Sequence, residues 1–395
     1  MKKTLLFALF LTILLITQAV AFDLGMELNN TVGTKSADDF GLYYDHKATL
    51  WVSAPFNNDG TSRLDIEGSI LATKPILANE YSLVINLDLL RLSFQLANDS
   101  AKSITMDIGR IPVSDTSSLY LDSKADGVQF FGIFGFGNLE LFAGYTGLLN
   151  VRSGALLMTN DDRAESVTEE LYAFGSSRII GKAAIQIPEL LGSSDFIAEA
   201  TGQFDLRTML QDNYEQSIHT IFLTLGLNGP LGLKNLFYSL NTVIENGILE
   251  DEGTSYSVLS GIATARLDFF PGSINHVYTE LLYSPPNNAI FSEFIPVTYK
   301  PAGTLYGNGY GNLFRISAGW NINPTRSFNL STGLKVFINQ EELIDNDGLY
   351  NATEVSLGAT VSATSDLRFQ LGTDLLFPNN DDMKYQVALK AILDL

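Results

Sequence analysis

Short segments in which apolar and polar side chains alternate recur from one end of the chain to the other. Residues 313–323 show the pattern clearly, because every second side chain from Phe314 to Ile322 is apolar and those between are polar or glycine. A strand points successive side chains to opposite faces, whereas a helix would scatter these residues around its axis. The alternation therefore predicts strands with one apolar and one polar face.

About 18 such segments are found, each near the ~9 to 11 residues that a tilted membrane-crossing strand needs. They lie at 23–32, 42–54, 62–74, 81–97, 103–111, 128–135, 139–147, 178–187, 195–207, 217–227, 235–246, 256–270, 276–284, 313–323, 328–339, 351–364, 367–377 and 384–395. In segment 81–97 the alternation changes phase near Leu89, which favours a β-bulge within one strand over two short strands. The count is therefore about 16 to 18 strands.

The connections between segments sort by parity. Those after even-numbered segments are short turns, whereas the long connections, 112–127, 148–177 and 285–312, all follow odd-numbered ones. Short periplasmic turns and long extracellular loops are typical of outer-membrane barrels, and a soluble sandwich has no reason to sort its loops this way. The sequence thus predicts an all-β fold, a single closed antiparallel transmembrane β-barrel.

The N-terminus has the form of a secretory signal. Lys2 and Lys3 precede an apolar run of about 12 residues, and Ala19-Val20-Ala21 forms a small-residue cleavage site. A membrane-spanning helix needs about 20 residues, so residues 1–21 are predicted to be a signal peptide and 22–395 the barrel domain. The chain has no cysteine, which excludes a lipoprotein, a disulfide-linked domain and a thiolate metal site.

Charge and hydropathy narrow the class further. The formal net charge of −20 makes nucleic acid an unsuitable partner. Only 17% of residues are charged and the mean hydropathy is +0.13, yet no stretch after the signal approaches a 20-residue apolar helix. Because helices and closed barrels are the backbones that satisfy their hydrogen bonds in lipid, an exported chain of this kind fits a barrel.

The pattern of strands and loops resembles that of bacterial outer-membrane porin-like β-barrels. The last segment, YQVALKAILDL, alternates from Tyr385 to Leu395 and is similar to the terminal strand that the barrel-assembly machinery recognises, although Leu395 stands where an aromatic residue is usual. The resemblance implies an integral location in the outer membrane, contact with its lipid and help from that machinery during biogenesis. It also implies a homo-oligomer, although the strands themselves do not mark an interface between copies.

If the apolar faces meet lipid, the polar faces line a lumen. The charged side chains predicted to line the channel are Arg63, Asp65, Glu67, Asp88, Asp107, Lys182, Glu199, Asp205, Arg207, Arg266, Asp268, Arg315, Lys335, Arg368, Asp374 and Lys390. A barrel of about 16 to 18 strands is too wide for side chains to fill, so the expected activity is passive diffusion of small hydrophilic solutes. The excess of acidic residues suggests a weak preference for cations, and no cofactor is expected.

One loop is a candidate constriction. In general porins the loop that corresponds to 109–127 folds inward, so the resemblance implies that Asp115, Asp122, Lys124 and Asp126 line the narrowest point. An ordinary surface loop is the alternative interpretation, and loops 148–177 and 285–312 are rivals for the same role.

Other classes of function fit less well. The three histidines, His46, His219 and His276, have no metal-binding spacing, and the chain is not expected to be an enzyme. A transporter for hydrophobic compounds of the long-chain fatty-acid type would need an N-terminal hatch, but alternation already begins at Leu24. A non-conducting adhesin or structural barrel and a soluble periplasmic β protein remain alternatives.

Overall fold

Within the described residues, eighteen antiparallel strands follow one another around a closed sheet in this computed structural model. The structure describes residues 22–36, 41–57, 61–75, 82–99, 102–154, 156–207, 216–251, 253–287, 291–340, 350–379 and 381–395. The strands are β1 (Asp23–Lys35), β2 (Gly41–Pro55), β3 (Ser62–Pro75), β4 (Ser82–Asn98), β5 (Lys102–Ser114), β6 (Asp122–Phe134), β7 (Gly137–Tyr145), β8 (Arg178–Leu191), β9 (Ser194–Asp205), β10 (Gln216–Pro230), β11 (Leu236–Asp251), β12 (Thr254–Gly272), β13 (Asn275–Tyr283), β14 (Leu313–Thr325), β15 (Phe328–Asn339), β16 (Tyr350–Ser362), β17 (Leu367–Pro378) and β18 (Lys384–Asp394). Two short helices, α1 (Val151–Gly154) and α2 (Asn160–Glu165), lie between β7 and β8.

Pairing of the first strand with the last closes the sheet. β1 is hydrogen-bonded to both β2 and β18, so the barrel has no free edge along its full-length strands. The connections after β6, β8, β12 and β14 are two-residue turns, whereas those after β7 and β13 are the longest. The predicted fold class and the sorting of loops by parity are therefore confirmed. The signal peptide predicted for 1–21 lies outside the described residues.

The predicted bulge is present in β4. Glu67 of β3 lies opposite Leu89 and the next residue, Gly68, opposite Leu87, which leaves Asp88 as the extra residue. The bulge reverses the phase of the strand, because the outward side chains have odd numbers on one side of it and even numbers on the other. Leu83 and Ile85 are exposed before it, and Leu90, Leu92 and Leu96 after it.

The outer face of the barrel carries a belt of exposed apolar side chains. Leu223, Leu225 and Leu389 are more than half exposed, as only a surface that faces hydrocarbon can tolerate over so wide an area. Among the described residues, no helix is long and apolar enough to cross a membrane. The eighteen strands thus form a closed barrel with an apolar outer face.

The prediction of a long loop at residues 112–127 is wrong. β5 continues to Ser114 and β6 begins at Asp122, so that only residues 115–121 connect them. The inward side chains of this extra ladder include Ile111 and Ala125, which face each other and are fully buried. Polar residues on the other face of β6 concealed the strand in the sequence.

Glycines shape the point where β5 bends away from β4. Gly109 has φ of +120°, in the region that disfavours side chains, and a Cβ there would collide with the carbonyl oxygen of Leu90. Gly127 lies opposite Gly109, and its Cβ would collide with the carbonyl oxygen of Ala143. The two glycines let four neighbouring strands, β4 to β7, approach closely while the hairpin turns inward.

We expect Gly109→Ala to lower the free energy of unfolding by more than about 1 kcal/mol, because alanine fits neither the backbone angle nor the space. Gly372→Ala is the control, since a Cβ there meets no atom within 4 Å. Urea unfolding of protein refolded into lipid vesicles measures both, and equal unfolding midpoints would contradict the account of the bend.

Candidate channel constriction

The upper part of the β5–β6 hairpin leaves the barrel wall and leans into the lumen. Pairing between β4 and β5 ends at Leu90 and Arg110, whereas β5 and β6 stay paired to Ser114 and Asp122. The tip reaches the inner surface of β8, where Lys182 Nζ donates to the Ser114 carbonyl at 2.7 Å. The hairpin therefore narrows the channel from one side.

Further contacts hold the tip on β9 and β10. The Thr116 N–H donates to Glu199 Oε2 at 3.0 Å, and the Tyr120 hydroxyl donates to Glu199 Oε1 at 2.5 Å. The Tyr120 ring stacks on Phe222 with 4.3 Å between centroids. Burial raises the pKa of Tyr120, and the Glu199 carboxylate raises it further, so the phenol keeps its proton and remains a donor.

The tip is also ordered internally by Asp115. Its carboxylate accepts hydrogen bonds from the N–H groups of Leu119, Tyr120 and Leu121 at 3.1, 3.1 and 2.7 Å. The side chain of Asp115 is buried. Asp115 thus shapes the backbone of the constriction and offers little charge to the lumen solution.

Residues 291–312 of the connection 284–312 run along the inside of the barrel. Its Ser292 N–H donates to Leu259 O on β12 at 2.8 Å, and its Ile295 N–H donates to Glu245 on β11 at 2.9 Å. It then meets the hairpin tip, where the Thr298 N–H donates to Tyr120 O at 2.9 Å. The two inward segments therefore brace each other in the lumen.

The far end of the connection 284–312 is bound by Glu354 of β16. This buried carboxylate accepts from the successive N–H groups of Thr304, Leu305 and Tyr306 at 3.0, 2.7 and 3.2 Å, and from Lys335 Nζ at 2.8 Å. Three converging backbone donors plus an ammonium form a strong anchor for a carboxylate.

Apolar side chains on the inner face make this packing possible. Phe337 breaks the alternation of β15, is fully buried, and stacks on Tyr306 with 4.0 Å between ring centroids. Phe222 makes an edge contact with Phe294 of the connection at 6.0 Å. Other inward apolar side chains under the loops are Ile218, Val243, Ile262 and Leu282. Such residues are the sequence signal of a lumen partly filled by protein.

The connection 146–177 is fixed by a buried ionic cluster. Asp162, at the start of α2, is bonded to Arg178 of β8 at 2.8 Å and to Arg207 at 3.1 Å, and both arginines also pair with Asp205. All four side chains are buried. Burial alone would raise the pKa of Asp162, but the two guanidinium groups outweigh it and hold that pKa below its usual value.

The residues predicted to line the channel fall into three sets. Lys182, Glu199, Asp205 and Arg207 are covered by the inward segments. Others remain beside the lumen in ion pairs, namely Arg63 and Asp65, Asp107, Asp88, Arg266 and Asp268, Arg315, Lys335, and Arg368. Glu67, Asp374 and Lys390 lie on the inner face and are partly exposed.

The three remaining constriction candidates lie on β6 rather than in a loop. Asp122 has a side chain that is 67% exposed and pairs with Lys300 at 3.4 Å, while Lys124 pairs with Asp88. Asp126 pairs with Arg110 at 2.8 Å. Sequence reasoning missed several partners of the predicted residues, including Arg91, Glu140, Glu280 and Glu354. Their inward phase was readable from the alternation, but their pairing was not.

One part of the inner barrel surface is not covered by the described inward segments, namely the inner faces of β17, β18, β1 and β2. The inward segments form their hydrogen bonds and ring contacts with β4 and with the wall from β8 to β16. On the remaining wall, polar side chains keep partial exposure: Asn29, Thr31, Asp45, Lys47, Gln370, Asp374, Gln386 and Lys390. This polar wall is the solvated side of the lumen.

Comparison with solved structures places the fold among Pseudomonas outer-membrane porins of the OccK and OprD type. Pseudomonas aeruginosa OccK5 (OpdH) superposes with a TM-score of 0.61 at 10% identity, covering 95% of this chain and 98% of that one. The chain has the porin fold. P. aeruginosa OpdK with vanillate gives 0.63 at 9% identity and Acinetobacter baumannii OccAB4 gives 0.59 at 9%, each over 95% of this chain and 98% of the other. Neither a family profile nor a curated protein matches the sequence.

We expect Glu354→Ala to lower the free energy of unfolding by about 3 kcal/mol or more, because it leaves Lys335 and three backbone N–H donors without their acceptor. It should also raise single-channel conductance as residues 303–306 detach from the wall. Glu354→Gln, which keeps one acceptor oxygen, should give an intermediate loss. Unchanged stability and conductance in Glu354→Ala would contradict the anchoring role.

We expect acid to release the connection 146–177. A carboxylate whose pKa is lower in the folded state stabilises the fold above its unfolded pKa of about 4 and loses that contribution as pH falls through the folded value. Pepsin should therefore cut this connection faster as the pH is lowered stepwise from 4, whereas Asp162→Asn should already be cut at pH 4. Equal protection of the native chain and of Asp162→Asn at pH 4 would overturn the prediction.

Proposed function

We propose that this barrel is a passive channel for small hydrophilic solutes across the outer membrane. The observation that carries the proposal is the polar wall of β17, β18, β1 and β2, whose side chains stay partly exposed while the inward segments pack against the other side. A permeant would follow this wall and exchange hydration water for amide, hydroxyl and charged groups. The proposal includes no catalytic step.

The charge of the lumen supports weak selectivity. Most basic side chains of the inner face have a carboxylate partner, as in the pairs of Arg315 with Glu280 at 2.5 Å and of Arg266 with Asp268 at 2.8 Å. Such compensation weakens the field on a simple ion. The overall acidic excess then leaves a small preference for cations.

The proposal also covers how the barrel is assembled in the membrane. β18 (Lys384–Asp394) is the strand that the barrel-assembly machinery would recognise before β18 pairs with β1. Association into a homo-oligomer remains a prediction from the resemblance.

Planar-bilayer recording across a potassium chloride gradient tests the function. We expect discrete open steps and a reversal potential of the sign that indicates weak cation preference. Asp374→Asn should shift that potential toward anions and Lys390→Gln toward cations, since both side chains lie on the polar wall. Arg326→Gln, in the two-residue turn after β14, is the control and should leave it unchanged.

A folded, heat-modifiable barrel that never conducts would refute the channel and favour an adhesin or a structural barrel. Conducting steps with the same potential in all variants would refute the path along the polar wall.

A further inference from the structure

Part of the barrel wall is not made of strands. Residues 82–89 of β4, which precede Leu90, are not paired with β5 because the β5–β6 hairpin leans into the lumen. The connection 146–177 occupies the place that the hairpin leaves. It therefore has an inner side on the hairpin and an outer side on whatever surrounds the barrel.

Hydrogen bonds show that this connection substitutes for the missing strand. The Ile85 N–H donates to Leu171 O at 3.3 Å, and Asn150 Nδ2 donates to Ile85 O at 2.9 Å. Arg152 Nη1 donates to Leu83 O at 3.1 Å. The Ile85 N–H and the carbonyls of Leu83 and Ile85 on the unpaired edge of β4 are thereby hydrogen-bonded, as groups within a bilayer must be.

The surroundings of Arg110 show that the connection 146–177 lies on the outer face of the hairpin. Arg110 follows the lipid-facing Ile108 on the same face of β5, yet its side chain is only 5% exposed. Its Nη2 donates to Leu148 O at 2.9 Å and its Nη1 lies 3.4 Å from the Tyr172 hydroxyl. The connection thus covers the former outer face of the hairpin and replaces it as the outer surface.

Three apolar side chains are exposed on that new outer surface. Leu148 is 48%, Leu171 50% and Phe174 69% exposed. On one flank are the outward Leu83 and Ile85 of β4, and on the other flank the outward Ile179 and Phe204 of β8 and β9 are exposed as well. We call Leu148, Leu171 and Phe174 the wall patch.

A cleft opens between Leu148 and Phe174. It measures about 280 Å³ and is also lined by Tyr145, Ser177 and Arg207. The Tyr145 and Ser177 hydroxyls are hydrogen-bonded to each other at 2.9 Å. A cleft lined by both apolar side chains and hydroxyls suits the boundary between acyl chains and headgroups.

We propose that the wall patch binds acyl chains of outer-leaflet lipid, which makes the connection 146–177 a lipid-contacting part of the wall as well as a constriction element. Continuity with the apolar belt on both flanks selects lipid as the occupant, because the belt itself meets lipid. A soluble ligand would have to displace lipid from a surface that is apolar on both flanks.

Spin labelling tests this directly, since the chain has no cysteine to remove. Single cysteines replace Leu171 and Phe174, with Leu223→Cys as the lipid-facing reference and Asp366→Cys, in a periplasmic turn, as the aqueous one. The nitroxide-labelled proteins are refolded into palmitoyl-oleoyl-phosphatidylcholine vesicles. Power saturation then compares collision with oxygen, which concentrates in hydrocarbon, and with a nickel chelate, which stays in water.

We expect labels at 171 and 174 to favour oxygen over nickel as the label at 223 does. Ratios like that at 366 would overturn the proposal by placing the patch in water. Exclusion of both reagents together with spin–spin broadening would also overturn it, because a second copy of the chain would then cover the patch. Either of the two sites suffices if the other variant does not fold.

Discussion

The structure depends on the requirement that backbone N–H and C=O groups within a bilayer be hydrogen-bonded. Closing β1 on β18 meets this requirement for the full length of most strands. The requirement is also what makes the inward lean of the β5–β6 hairpin consequential, since the lean removes a neighbour from the upper half of β4. A substitute had to come from elsewhere in the chain, and the connection 146–177 supplies it with Asn150 and Arg152. The bend at Gly109 therefore has two results: the hairpin narrows the lumen, and the connection 146–177 replaces β5 beside the upper half of β4.

Carboxylates do most of the anchoring inside the lumen. Glu354 binds three successive N–H groups, Asp115 binds three in the hairpin tip, and Glu199 binds both a backbone and a phenolic donor. Each is withdrawn from solution, and the acidic composition of the chain therefore overstates the charge that a permeant meets. An ionised acceptor forms stronger hydrogen bonds than a neutral one, which suits segments that have no strand ladder of their own.

The sequence predicted the barrel better than it predicted the constriction, for a physical reason. Alternation is a local property, so the strands, the bulge at Asp88 and the parity of the loops could be read from neighbouring residues. Which loop enters the lumen depends on contacts between residues far apart, such as Tyr120 with Phe222. Phe337 is the one residue of β15 whose pattern indicates an inward segment, because an inward phenylalanine in an otherwise alternating strand needs a partner inside the barrel. The extension of β6 to Asp122 was missed because its outward side bears Lys124 and Asp126, which the hairpin buries against other protein rather than lipid.

The distribution of packing around the lumen links the fold to the proposed channel function. Inward segments crowd the walls from β8 to β16, where apolar residues such as Phe222 and Phe337 stabilise them, whereas the wall from β17 to β2 keeps its amide and charged groups in contact with water. In the proposed channel, a substitution in a loop would alter the path without disturbing a strand, because the ladder and the apolar belt fix the barrel independently. Conversely, the anchors at Glu354 and Asp162 set the width of the path, since they hold the segments that occupy the rest of the lumen. In the proposed channel, selectivity would therefore depend on how firmly the loops are held, as well as on the side chains that line the path.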